Sequence, residues 1–77
     1  MPEIPIIKTA DFLKLLIKYG CVQVGSKGSH YKIRNPVNGK ISVVPVYVGK
    51  DLKKGLFAKI LSDLEIDVEG FINFIKG

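Results

Sequence analysis

The run Ser29-His30-Tyr31-Lys32-Ile33-Arg34 decides how this 77-residue chain folds. Bulky uncharged and basic side chains alternate through it, and successive residues of a strand point to opposite faces of a sheet. Tyr31 and Ile33 therefore belong to a covered face, and His30, Lys32 and Arg34 to an open one. His30 is the chain's one histidine. Its place on the open face makes it a candidate for chemistry rather than for packing.

Working outward, Cys21 to Gly25 is rich in β-branched residues and reads as a preceding strand. Gly25, Ser26, Gly28 and Ser29 supply turn chemistry between the two strands. Downstream, Asn38-Gly39 signals a turn into a third strand over Lys40 to Val46, so that strands two and three form a hairpin. Pro45 near its end argues for an edge position. Tyr47 to Lys50 reads as a loop. Thr9 suits a helix N-cap, Asp11 its first turn, and Phe12, Leu13, Leu15, Leu16 and Tyr19 its apolar face, with Gly20 as the stop. A second helix begins at Lys53 or Gly55 and carries Leu56, Phe57, Ile60, Leu61 and Leu64. Asp67 caps a short third helix with Phe71, Ile72, Phe74 and Ile75 turned inward. The order predicts an α+β sandwich of two layers, with helices on one face of a three-stranded antiparallel sheet.

The chain reads as one domain, 1–77, with 1–8 an extended lead-in marked by Pro2 and Pro5. A domain of this size buries only about 60% of its unfolded surface, so all elements must share one core. The 47% hydrophobic content argues against disorder. One cysteine, Cys21, allows no internal disulfide and no cysteine-rich zinc site. No apolar run reaches the ~20 residues of a membrane span, and no secretory signal opens the chain. The expectation is a cytoplasmic protein without membrane attachment or small-molecule cofactor.

The net charge of +5 is unevenly placed. Residues 27–54 hold Lys27, Lys32, Arg34, Lys40, Lys50, Lys53 and Lys54 against Asp51 alone, seven minus one or +6. Asp63, Glu65, Asp67 and Glu69 gather further on. A basic middle attracts polyanions, nucleic acid first, although a solvated surface has the same composition. Histidine is the one side-chain type that ordinarily titrates near neutral pH. Beside cations and a phosphate, it suits proton transfer from a hydroxyl. Gly28 and Ser29 either make the turn or let a phosphodiester approach the backbone. Lys53 and Lys54 either bind phosphate at a helix start or form a solvated first turn. No P-loop or dinucleotide fingerprint is present, and no carboxylates stand near His30 in sequence to make a metal site.

The ordered set Gly20, Lys27-Gly28-Ser29-His30, Val43-Val44-Pro45, Leu52, Gly55-Leu56, Ile60-Leu61, Ile66-Asp67, Glu69 and Phe71 resembles the HicA family of toxins. The resemblance covers nearly the whole chain beyond about residue 8. It implies a double-stranded-RNA-binding-domain-like α-β-β-β-α fold, here with a short extra C-terminal helix. It also implies the toxin of a type II toxin–antitoxin pair: an endoribonuclease that cleaves mRNA without metal and is neutralised by a HicB-like antitoxin. The family's catalytic histidine falls on His30, with Lys27, Gly28, Ser29, Lys32, Arg34, Lys53 and Lys54 as RNA or phosphate contacts. Many members carry a second histidine where this chain has Tyr47. An ordinary tyrosine hydroxyl, with a pKa of ~10, is a poor acid or base at neutral pH. The second proton-transfer role would then fall to Lys27, Lys32 or water. Two rival readings stand beside this one. The first is a non-catalytic RNA-binding module using the same basic face. The second is a protein-interaction domain contacting its partner through the acidic segment.

Overall fold

The computed structural model describes residues 3–77. In chain order it contains α1 (Thr9–Tyr19), β1 (Val22–Lys27), β2 (His30–Arg34), β3 (Ile41–Pro45), α2 (Lys54–Asp63) and α3 (Val68–Lys76). The strands form an antiparallel sheet of order β1-β2-β3. This is the expected α+β, double-stranded-RNA-binding-domain-like arrangement with an extra C-terminal helix. Pro45 closes an edge strand, where its missing donor leaves no inner ladder bond unmade.

Alternation holds along β2 and β3, while β1, which none of the helices covers, has no buried residue. Ile33 and Val44 are fully buried and Ser42 nearly so, while His30, Lys32 and Arg34 are exposed. Tyr31 faces the helices, opposite Val44, but is only half-buried at the margin of that face. Both α1 and α2 contact β3, and α3 packs on both helices. Phe12, Phe57 and Phe71, one from each helix, meet with centroids 5.1, 5.8 and 5.9 Å apart. These separations suit aromatic contacts, which add about 0.5–1.5 kcal/mol beyond area burial. Phe71 and Ile72 are buried and Phe74 and Ile75 half-buried, so the apolar stripe of α3 belongs to this core.

The helix ends show which local signals held. Asp67 caps α3, its carboxylate accepting from the Gly70 amide at 2.8 Å. Gly20, at φ +127°, ends α1 as the amides of Gly20 and Cys21 return to the Ile17 and Leu16 carbonyls. Helix α2 ends in the same double turn, with Ile66 bonding Leu61 and Glu65 bonding Ser62, but the left-handed position is held by Glu65 at φ +54°. Asn35 and Asn38 of the β2–β3 loop donate to the Leu64 carbonyl at 2.9 and 3.1 Å, satisfying a terminal acceptor of α2.

Several boundaries differ from expectation: β2 starts at His30 and not Ser29, and β3 spans Ile41–Pro45 and not Lys40 to Val46. Thr9 is the first helical residue of α1 and not its cap; Lys8 occupies the cap position, and its side chain makes no capping bond to the helix. Strand β1 runs on through Gly25, Ser26 and Lys27, so the turn is only Gly28 and Ser29. Cys21 precedes the strand and sits in the core. The lead-in is extended where described. The Leu52 amide donates to Ile7, the Thr9 amide donates to Lys50, and Lys8 bridges to Asp51. Pro2 lies outside the described residues.

Candidate functional site

The tip of the β1–β2 hairpin fixes His30. Lys27 and His30 are the closing pair, with Gly28 and Ser29 between them. Gly28 has φ +60° and Ser29 does not share its positive φ. Positive φ at the first central residue only is the pattern of a type II′ turn, which matches the twist of the flanking strands. A Cβ at Gly28 would meet nothing within 4 Å, so backbone conformation rather than crowding calls for glycine there. The Ser29 carbonyl accepts from the Val46 amide at 2.7 Å, tying the tip to the end of β3.

Lys27 reaches the same face as His30 through a bulge. The ladder pairs Gln23 with Ile33 and then Gly25 with Lys32, leaving Val24 as an extra residue. Counting from buried Cys21, a regular strand would turn Lys27 toward the helices. The added step turns it outward, directly across from His30. An open depression of about 340 Å³ results, lined by Val24, Gly25, Ser26, Lys27, His30, Lys32 and Val43. Val22, Val24, Ile41 and Val43 are each 43–48% exposed around the basic central strand, so this face is mixed in character.

The expected phosphate contacts do not all gather here. Lys27 and Lys32 flank His30. Arg34 lies at the far end of β2, its guanidinium reaching the loop at Gly39. Lys53 and Lys54 part company. Lys53 lines a groove with Tyr47 and Leu56. Lys54 faces away, toward Glu3, Ile4, Pro5, Ile6 and Lys76. The acidic segment is partly occupied within the fold. Asp63 accepts from Ser42 at 3.1 Å and from Lys59 at 3.0 Å, and Asp67 caps α3.

Tyr47 is the neighbour that local pattern alone does not supply. Its ring stands edge-on to the His30 imidazole, centroids 6.4 Å apart at 86°. Thr9 holds its backbone from both sides: the Tyr47 amide donates to the Thr9 hydroxyl, which donates to the Tyr47 carbonyl, each at 3.0 Å. The threonine that resembles a cap thus clamps a residue 38 positions away.

Local surroundings move the titration of Asp63 and of Cys21 in opposite directions. The Lys59 and Ser42 hydrogen bonds hold the Asp63 carboxyl below the ordinary aspartate value. Burial raises the Cys21 thiol, which makes it a poor nucleophile. Among the described residues, no three or more His, Cys, Asp and Glu side chains cluster as metal ligands. None of the helices described is long and apolar enough to cross a membrane.

No curated protein sequence matches the chain. A family model described as the HicA toxin of bacterial toxin–antitoxin systems matches residues 9–66, from the clamp at Thr9 through all three strands and α2. The chain therefore belongs to the HicA toxin family, and so is the toxin half of a pair with a cognate antitoxin.

Proposed function

We propose that this toxin is a metal-independent endoribonuclease that cuts mRNA in the cytoplasm, and that its 77 residues act as one domain. The observation that carries the reading is His30, exposed on the open sheet face beside Lys27 and Lys32. Neutral imidazole takes the proton of a ribose 2′-hydroxyl, and the 2′-oxygen attacks the adjacent phosphorus. The 5′-oxygen leaves with a proton from Lys27, Lys32 or water. The products are a 2′,3′-cyclic phosphate and a 5′-hydroxyl, with no redox change and no co-reactant. Lys27 and Lys32 offset charge on the phosphate, Arg34 holds the strand further along β2, and Gly28 with Ser29 keeps the hairpin tip low beside it. Lys53 supports the reading from the neighbouring groove. Lys54, on the far side, contributes only to the general field. A HicB-like antitoxin neutralises the toxin by covering the open face.

The deciding experiment compares wild type with His30→Ala on RNA in EDTA, and in cells by growth after induction. Cleavage should fall by ~10²–10⁴, the usual worth of general acid–base help. Stability should stay within about ±0.5 kcal/mol, as for most exposed side chains. A substrate with a 2′-deoxy sugar at the cut site should resist. Cleavage by the alanine variant at the wild-type rate would remove His30 from the mechanism. The rival reading, an RNA-binding module, draws support from Tyr47, since the ring beside His30 is not a second imidazole. It takes over if wild type binds RNA on the basic face and cuts none.

A further inference from the structure

We infer that the groove beside Tyr47 is a nucleobase subsite: an unpaired base next to the phosphate at His30 stacks on the Tyr47 ring, and its phosphate lies by Lys50 and Lys53. The inference rests on the ribonuclease reading and adds to it a second binding element outside the His30 depression.

The groove has a volume of about 440 Å³, within the ~300–1,000 Å³ of small-ligand sites. Pro45, Leu52 and Leu56 give it apolar surface, and Tyr47, 47% exposed, is its one aromatic side chain among the described residues. The Thr9 clamp fixes the backbone from which that ring projects, so stacking immobilises little that is not already fixed. Lys50 and Lys53 line the same groove, and among the described residues neither has a carboxylate partner. Asp51, the one acid there, is neutralised by Lys8 at 2.9 Å. Helix α2 begins at this groove with no side-chain cap, so its first amides add to the positive end. An apolar slot with an aromatic wall and a cationic rim fits a flat ring that carries an anion. A nucleotide supplies both from adjacent atoms, whereas an apolar peptide side chain supplies only the first. The 6.4 Å between the His30 and Tyr47 rings keeps both within the span of one nucleotide. A base inside a duplex is stacked on both faces by its neighbours and offers none to Tyr47, so the subsite selects single-stranded RNA.

The test is a double-mutant cycle on an oligoribonucleotide that wild type cuts, made uncleavable by a 2′-deoxy sugar at the mapped site. Each flanking base is removed in turn to leave an abasic sugar. Stacking one base is worth ~1–3 kcal/mol, or about 5- to 150-fold in affinity. Wild type should lose that factor with one abasic RNA, and Tyr47→Ala should lose it with the intact RNA. The two losses together should not add. Tyr47→Phe, which keeps a flat ring, should restore the coupling. If Tyr47→Ala folds poorly, Tyr47→Leu keeps apolar bulk without the ring and should show the same missing coupling. Additive losses, or indifference to both abasic positions, would overturn the subsite while leaving the ribonuclease standing. Wild type that neither binds nor cuts RNA overturns both.

Discussion

Replacing Thr9 by valine tests the clamp on which the position of Tyr47 depends. Valine has nearly the shape of threonine, so no cavity opens, and the change removes only a hydroxyl. Thr9 is 4% exposed, and its oxygen makes two hydrogen bonds, one from the Tyr47 amide and one to the Tyr47 carbonyl, both 3.0 Å. A net ~0.5–1.5 kcal/mol for each gives a loss of about 1–3 kcal/mol, with the upper end reached if the freed backbone groups find no water. For a domain of 60–100 residues, 1 kcal/mol moves Tm by about 4–8 °C. The middle of the range, ~2 kcal/mol, therefore predicts a fall of about 8–16 °C. Thr9→Ser is the control: it keeps the hydroxyl and loses a methyl, at about 0.8 kcal/mol per buried carbon. Urea unfolding followed by circular dichroism should give a lower midpoint at unchanged slope for valine, and a smaller shift for serine. A valine variant that melts with wild type would show that water replaces the hydroxyl, and that the loop after β3 is positioned by something other than Thr9.

Glu65→Gly should stabilise the protein by about 0.5–1 kcal/mol, because Glu65 holds a left-handed φ of +54° that glycine adopts without strain; the urea midpoint reads this directly, and a fall in midpoint would refute it. The Asp63 carboxyl is held below its ordinary value in the folded state by Lys59 and Ser42. Its contribution is therefore present above the ordinary aspartate pKa of ~3.9 and lost as pH falls through the lower folded value. Ser42→Ala should thus make stability less dependent on pH below about 4, while equal acid limbs in both proteins would contradict the assignment. Charge reversal at Lys32 and Arg34 should flatten the log–log salt dependence of RNA binding by about 0.7 for each phosphate no longer neutralised; an unchanged slope would place the RNA elsewhere.

How far the sequence could be read depended on the distance between cause and effect. Asp67 was legible because a cap and the amide that it satisfies lie three residues apart. His30 was legible because a period of two needs only its own strand, and Ile33 confirms the phase at full burial. Thr9 misled for the opposite reason. Its side chain suits a cap, but its partners arrive from Tyr47 through tertiary folding. Gly25 and Ser26 read as a turn by composition, yet a two-residue turn at Gly28-Ser29 suffices and the ladder claims the rest. Lys53 and Lys54 looked equivalent as neighbours in sequence. Lys53 is the extended residue that precedes α2 and Lys54 is its first helical residue, so their side chains diverge and the groove takes one of them.

The bulge at Val24 makes the two halves of the hairpin respond oppositely to changes in chain length. Strand β1 carries one residue more than the ladder with β2 uses. Losing Val24 would regularise the pairing, with Gln23 still opposite Ile33, Gly25 opposite Lys32 and Lys27 opposite His30. Only an apolar wall of the depression would go. Losing Tyr31 from β2 leaves no surplus to absorb the gap, and it puts His30 on the same face as the buried Ile33. A gap of one before the hairpin tip is therefore silent for the site, and a gap of one after it is fatal. In this chain one residue can be lost between α1 and His30 without moving His30 from the open face, whereas the spacing from His30 to the buried Ile33 is set by the pleat itself.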